Sequence, residues 1–236
     1  MKLAAVGLLA MALIYGAYQA IGATTGDPPT NHVIVVDGSK SFATEVQECP
    51  GQLAPIVRDA TSELGRLSIA SFARGALGRP WSYDVDYRAE YDRDHDRGKV
   101  EFKTRDDWFD DRAAAAEAEL DETVARSPEF GSVLLEQLER IALEMEDRGD
   151  RRLKIVICSD GEIVDEHVDI REDFDQQKAI DVWIPRLSGL EGATVRVIGF
   201  GKGLKPEENR RSREFLTTLL DMAGVSTVEI EPGSER

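Results

Sequence analysis

An unbroken run of β-branched residues, Val-Ile-Val-Val at 33–36, constrains the fold of this chain more than any other feature. Four such residues in succession are typical of a strand that is buried on both faces, as in a parallel sheet covered by helices. Further strand patterns lie at 67–73, 152–159, 193–200 and 227–230, and helical patterns lie at 53–64, 113–125, 133–145, 176–187 and 207–222. Strands that alternate with helices predict an α/β fold, a Rossmann-like three-layer α/β/α sandwich with a mostly parallel central sheet.

Two of the predicted strands end in an aspartate. Asp37 follows the first strand and opens the triplet Asp-x-Ser-x-Ser, and Asp160 follows the strand at 152–159. In open α/β sheets, ligands bind in the crevice beyond the carboxyl ends of the strands. If the two strands are neighbours, we expect both carboxylates at the same edge of the sheet.

Three serine hydroxyls complete a candidate metal site at this edge. Ser39 and Ser41 belong to the triplet, and Ser132, at the start of a helix, is expected to point at the same edge. Carboxylates and hydroxyls are hard oxygen ligands, which suit Mg²⁺ or Mn²⁺ and would leave part of the octahedron open. The predicted metal ligands are therefore Asp37, Ser39, Ser41, Ser132 and Asp160. The alternative is that Asp37 and the first serines only cap the following helix.

Three segments of the chain resemble the loops of a von Willebrand factor type A (VWA) domain with a metal-ion-dependent adhesion site. They are Val-Val-Asp-Gly-Ser-Lys-Ser at 35–41, Gly-Ser-Val-Leu-Leu-Glu-Gln-Leu at 131–138 and Ile-Cys-Ser-Asp-Gly-Glu at 157–162. The resemblance implies a threonine ligand in the second loop, where this chain has Ser132, with Ser127 as a weaker candidate. Serine lacks the methyl group that helps to fix the rotamer, so we expect lower metal affinity.

The resemblance also implies a function. It describes a protein-binding module, not an enzyme, in which an Asp or Glu of a protein partner completes the coordination of the cation. Without the cation, Asp37 and Asp160 would repel an acidic partner, so binding should depend on the metal. A Mg²⁺-dependent phosphatase or phosphotransferase of Rossmann-like fold stays open, although the haloacid dehalogenase type expects an acid where this chain has Ser39. A VWA scaffold with a vestigial metal site is the third alternative.

The N-terminal segment 1–23 has the order of a secretory signal. Lys2 is followed by an apolar run and then by small residues. Through Ile21 the apolar stretch approaches the roughly 20 residues that span a bilayer, so retention as a membrane anchor through residues 3–23 is the alternative to cleavage. Residues 24–31 are predicted to form a linker and 32–236 one domain. We therefore expect an exported protein in the periplasm or another extracytoplasmic location, held at the inner membrane if the segment is retained.

Charge and cysteine content limit the possible partners and the possible disulfide bonds. The formal net charge of −16 argues against a nucleic-acid partner, because negative charge repels phosphate. The two cysteines are too few for a disulfide scaffold. Cys158, within a strand pattern, is predicted to be a buried core thiol. A bridge between Cys49 and Cys158 is the alternative, which spacing in the sequence leaves open.

The segment 74–112 is acidic and aromatic and matches no part of the resemblance. It predicts a short edge strand at 100–103 and a small aromatic core that holds an insertion. Its Asp-x-Asp-x-Asp triplet at 92–96 is predicted to be a solvated loop and not a calcium loop, since the twelfth position is Lys103. His95, within the triplet, is expected to be exposed.

Overall fold

A single sheet of six strands forms the centre of the computed structural model, which describes residues 29–39, 42, 49–72, 81–96, 105–125, 133–146 and 152–233. The strand order is β3-β2-β1-β4-β5-β6. All neighbours pair in parallel except β3, which lies at one edge and runs antiparallel to β2. The strands are β1 (Thr30–Asp37), β2 (Arg66–Phe72), β3 (Tyr83–Asp86), β4 (Arg152–Cys158), β5 (Thr194–Phe200) and β6 (Thr227–Pro232).

Helices cover both faces of this sheet. They are α1 (Cys49–Ser62), α2 (Tyr87–Asp96), α3 (Arg105–Ala125), α4 (Leu134–Glu146), α5 (Gln176–Trp183), which a 3₁₀ helix (Ile184–Leu190) extends, and α6 (Pro206–Met222). The first three helices contribute to one apolar cluster and the last three to another. The predicted three-layer α/β/α sandwich is confirmed.

Strand β1 lies at the middle of the sheet and contributes to both apolar clusters. Val33 and Val35 pack in the cluster of α4, α5 and α6, whereas Ile34 and Val36 pack in that of α1, α2 and α3. All four side chains are at most 1% exposed. Helices on both faces therefore explain why this strand is continuously apolar and does not alternate with polar residues.

The segment 74–112 departs from its prediction. Strand β3 and helix α2 were not predicted, and the edge strand predicted at 100–103 lies outside the described residues. The solvated loop predicted for the aspartate triplet is wrong, because these residues belong to α2. Asp94 is 4% exposed and accepts hydrogen bonds from Trp108 Nε1 at 3.3 Å and from Arg112 Nη2 at 3.0 Å. A buried carboxylate with two donors on α3 stabilises the helix where sequence alone indicated a loop.

The predicted aromatic core is confirmed for the aromatic residues of α2 and α3, whereas Trp81 packs in the other apolar cluster. Tyr91 packs edge to face on Trp108 with ring centroids 5.1 Å apart and stacks on Phe109 at 6.3 Å. Tyr87 is fully buried beside them. His95 is exposed, as predicted, and its ring stacks on Tyr91 at 6.2 Å. The aromatic residues hold α2 and α3 together against the sheet.

The predictions for the N-terminal segment concern residues that lie mostly beyond the described part of the chain. The predicted signal at 1–23 and most of the linker at 24–31 are outside the described residues, and β1 already begins at Thr30. Of the helices that the structure describes, none has the length and apolar character of a membrane-spanning segment.

Candidate metal centre

The carboxyl edge of the sheet brings two predicted ligands onto neighbouring strands. In the parallel register of β1 and β4, Val36 lies opposite Cys158. The chain therefore leaves β1 through Asp37 and leaves β4 through Ser159 and Asp160 at the same edge. Asp37 and Asp160 are each 1% exposed, as is Ser39. The other two predicted ligands, Ser41 and Ser132, lie outside the described residues.

Hydrogen bonds orient both oxygens of the Asp37 carboxylate. The backbone N–H of Ser39 donates to Oδ1 at 2.8 Å, and the hydroxyl of Ser159 donates to Oδ2 at 2.7 Å. The Ser159 oxygen in turn accepts from the backbone N–H of Gly161 at 3.0 Å. The loop after β4 thus holds the acid that ends β1, so the two loops form one connected unit.

Ser159 is a functional candidate that sequence reasoning missed. It is fully buried and makes the direct side-chain contact between the two loops. The available signal was a polar residue placed between a buried strand and an aspartate. That signal becomes informative only when β1 and β4 are known to be neighbours.

Three hydrogen bonds fix the loop that carries Asp160. Asp160 Oδ1 accepts from the backbone N–H of Glu162 at 2.9 Å, and its carbonyl accepts from Gly201 N–H at 2.8 Å. The hydroxyl of Ser212 on α6 donates to the carbonyl of Gly161 at 2.5 Å. These contacts tie the loop to the segment after β5 and to α6.

Gly161 is required by this arrangement for two reasons. Its φ of +77° is a left-handed conformation that side chains rarely adopt. A Cβ atom there would also lie 2.2 Å from Cε2 of Phe200, far inside the contact distance. The Asp-Gly pair recognised in the sequence is therefore a steric requirement of the loop.

The loop after β1 is anchored by Phe42. This side chain is 1% exposed and its backbone N–H donates to the carbonyl of Ser39 at 3.2 Å. Its ring packs against Gly199 of β5, where an added Cβ would lie 3.1 Å from Cε2 of the ring. The Gly38 N–H donates to the carbonyl of Phe72 at 2.8 Å, so β2 holds the start of the same loop.

Cys49 and Cys158 form a disulfide. Their Cα atoms are 6.4 Å apart, within the usual range for this bond, and the residues are 1% and 0% exposed. The prediction that Cys158 is buried is confirmed, but the prediction that it is a thiol is wrong. The bond was not predictable from the sequence because it joins residues 109 positions apart.

An ion pair lies beside the Asp160 loop. Arg171 donates through Nε and Nη2 to Asp169, each at 2.8 Å, and its Nη1 is 3.9 Å from Glu162 Oε1. The hydrogen bond from Arg171 lowers the pKa of Asp169. Arg171 is half exposed and faces two carboxylates, so this group of three residues carries no net positive charge.

The donor chemistry of the described residues fits a hard divalent cation. Asp37, Ser39 and Asp160 offer only oxygen atoms, and the two carboxylates come from adjacent strands. Within the described ranges, no group of three or more His, Cys, Asp or Glu side chains is arranged to hold a metal. The predicted set contains only two carboxylates and depends on serine hydroxyls, two of which lie outside those ranges. The metal site stays a prediction.

Comparisons with known proteins identify similar folds only. No protein-family model matches the chain, and no curated protein matches it significantly. The PilB minor pilin from Streptococcus sanguinis has a TM-score of 0.53 at 12% identity, over 89% of this chain and 58% of that chain. The conserved hypothetical protein BatB from Bacteroides thetaiotaomicron has a TM-score of 0.50 at 11% identity, over 87% of this chain and 91% of that chain.

A pilus adhesin also shares the fold. SpaC from Lactobacillus rhamnosus GG, in an open conformation, has a TM-score of 0.50 at 10% identity, over 89% of this chain and 28% of that chain. This chain thus spans only part of PilB and a smaller part of SpaC. At these identities the similarity shows the fold alone: the α/β sandwich of this chain is shared with a minor pilin, a pilus adhesin and BatB.

Proposed function

We propose that this chain is a VWA-type protein-binding module that acts outside the cytoplasm and is not an enzyme. The observation that carries the proposal is the convergence of Asp37 and Asp160 at one edge of the sheet, from adjacent parallel strands. Two buried carboxylates on neighbouring loops favour a cation between them, because opposite charge offsets their repulsion and their loss of hydration.

In this proposal Asp37, Ser39, Ser41, Ser132 and Asp160 hold Mg²⁺ or Mn²⁺. The cation supplies an open coordination position that an Asp or Glu of a protein partner fills. The chain's own residues orient the ligands: Ser159 fixes the Asp37 carboxylate, and the backbone contacts of Gly161 and Gly201 fix the Asp160 loop.

The fold comparisons support a binding role outside the cytoplasm. PilB is a minor pilin and SpaC is a pilus adhesin, and both are surface components by name. A disulfide is typical of oxidising compartments, which fits the secretory pattern of residues 1–23. We infer export to the periplasm or the outer face of the membrane, with residues 3–23 as the anchor if they are retained.

A phosphatase interpretation has less support at the position two residues after Asp37. The haloacid dehalogenase type expects a second acid there, whereas this chain has Ser39. Ser39 is 1% exposed, and its backbone N–H donates to Asp37 Oδ1 at 2.8 Å. A hydroxyl at this position can ligate a cation but does not replace an acid in general acid–base catalysis.

Calorimetric titration of the full-length protein with Mg²⁺ and Mn²⁺ tests the proposal. We expect one site in the wild type and loss of binding in Asp37→Ala and in Asp160→Ala. Asp92→Ala is the matched control, because Asp92 is an exposed acid on α2 and should leave the affinity unchanged. Absence of binding by the wild type, or wild-type affinity in the two site variants, would refute the metal-dependent mechanism.

Partner binding is tested separately. The immobilised protein is incubated with solubilised cell envelope in Mg²⁺ or in EDTA, with Asp37→Ala as the control. The proposal predicts a captured protein that is lost both in EDTA and with the variant. Capture that neither treatment alters would leave the binding role intact but exclude the metal from it.

A further inference from the structure

The disulfide connects the start of α1 to the end of β4, next to the candidate metal centre. Cys49 is the first residue of α1. Cys158 is the last residue of β4 and immediately precedes Ser159 and Asp160. The covalent bond therefore fixes the residue from which the Asp160 loop begins.

The position of the bond relative to Asp37 makes it a direct support of the ligands. Cys158 lies opposite Val36 in the β1–β4 register, one residue before the level of Asp37. Ser159, the first residue after β4, donates its hydroxyl to Asp37 Oδ2 at 2.7 Å. A shift of α1 away from β4 would therefore act on the same backbone that orients the Asp37 carboxylate.

The surroundings of the bond favour a permanent link over a reversible one. Cys49 and Cys158 belong to the apolar cluster that contains Phe42 and Ile198, and neither is more than 1% exposed. Thiol–disulfide exchange requires a thiolate to reach a sulfur atom, and burial blocks this approach once the protein has folded. Phe42, which anchors the loop after β1, therefore packs in the same cluster as the disulfide.

We propose that oxidation of Cys49 and Cys158 is a maturation step that fixes the end of β4, and with it Ser159 and Asp160, for metal binding. This inference rests on the proposed metal-dependent function. The two thiols lose two protons and two electrons as the S–S bond forms. A dithiol–disulfide oxidant accepts them: its disulfide is attacked by one thiolate, the mixed disulfide is resolved by the second, and the oxidant leaves as a dithiol.

The consequence is that metal affinity depends on the compartment in which the chain folds. In a reducing compartment α1 is held to β4 by packing alone, and the end of β4 loses its covalent support. Removing groups that orient metal ligands typically weakens metal binding about 10- to 100-fold. We expect a loss of this size for the unlinked chain, so full affinity is acquired only after export.

The experiment compares the full-length wild type with Cys49→Ala/Cys158→Ala. Thiols are counted with a chromogenic reagent in denaturant, the fold is checked by circular dichroism, and Mg²⁺ affinity is measured by calorimetry. For protein made in an oxidising compartment we expect no free thiols in the wild type. The double variant should keep the native spectrum and bind Mg²⁺ about 10- to 100-fold more weakly.

A second variant keeps the test decisive if the double variant does not fold. Cys49→Ala leaves Cys158 in the sheet and removes only the link at the start of α1. It should show the same weakening of Mg²⁺ binding, and a wild-type affinity in either folded variant would overturn the inference. Two free thiols in wild type from an oxidising compartment would overturn it as well. Absence of Mg²⁺ binding in the wild type is distinguishable, since it refutes the proposed function and this inference together.

Discussion

Replacing Ser159 with alanine removes the hydroxyl that joins the two loops of the candidate centre. The side chain is fully buried and donates to Asp37 Oδ2 at 2.7 Å, while its oxygen accepts from Gly161 N–H at 3.0 Å. The substitution creates almost no cavity, because it deletes a single oxygen atom. Its effect therefore reports on the polar contacts.

The magnitude follows from the two hydrogen bonds. A hydrogen bond to a charged acceptor contributes about 1.5–3 kcal/mol, and a buried N–H that loses its acceptor costs about 1–3 kcal/mol. Since the two contacts share one oxygen and the loop can relax, we expect a decrease of about 2–4 kcal/mol in the free energy of unfolding. Mg²⁺ binding should weaken about 10- to 100-fold, because Asp37 loses the group that orients it.

Urea unfolding followed by circular dichroism measures the first effect and calorimetric titration the second. Ser62→Ala is the matched control, because Ser62 is exposed and donates only to the carbonyl of Asp59 at 3.1 Å. The control should change stability by less than about 0.5 kcal/mol. A Ser159→Ala variant as stable as the control, with unchanged Mg²⁺ affinity, would refute the coupling of the two loops.

Three further substitutions test other parts of the structure. Gly161→Ala should lower the free energy of unfolding by about 2–5 kcal/mol in urea, since it combines a left-handed φ with a clash against Phe200; a loss below 1 kcal/mol would contradict the geometry. Burial lowers the pKa of His32 below 6.5. The contribution of the neutral imidazole to the free energy of unfolding is therefore complete above that pH. It is lost as the pH falls, because the unfolded chain takes up a proton that the folded chain resists. His32→Gln should therefore reduce the decrease of the urea midpoint between about pH 7 and 5. An unchanged decrease would mean that other groups cause it. Arg112→Ala removes a donor from the buried Asp94 and should cost about 1.5–3 kcal/mol in thermal or urea unfolding, whereas no change would show that the carboxylate does not depend on this donor.

The central strands could be predicted because their pattern is local. Strands β1 and β4 are buried on both faces, and each reads as a continuous apolar run that ends in a short polar loop. The positions of Asp37 and Asp160 followed from that pattern and from the general placement of ligand sites in such sheets. Their placement at one edge was conditional on the two strands being neighbours, which the sheet order shows them to be.

The segment around α2 could not be predicted because its stability comes from distant residues. Its sequence is dominated by charged residues, and the apolar signal consists of Tyr87 and Tyr91, four positions apart. Tyr91 packs against Trp108 and Phe109, which belong to a different helix, and Tyr87 is buried in the same apolar cluster. Tertiary packing thus overrides a local pattern that indicated a solvated loop.

The contacts that refine the candidate site were hidden for a similar reason. Ser159 contacts Asp37 across 122 positions, and Cys49 pairs with Cys158 across 109. A polar residue and two cysteines have many ordinary roles, and only the register of β1 and β4 selects the ones observed here. The residue types predicted the candidate site, and the fold determined which side chains contact its predicted ligands.

The most direct test of the central claim is to locate the ion. Crystals of the protein grown with Mn²⁺ should give a single strong anomalous peak at the carboxyl edge of the sheet, about 2.0–2.6 Å from oxygens of Asp37 and Asp160 or of waters bound to them. Crystals of Asp37→Ala should lack the peak. A map of the wild type with no density between the two aspartates, or with Mn²⁺ bound only elsewhere, would contradict the account.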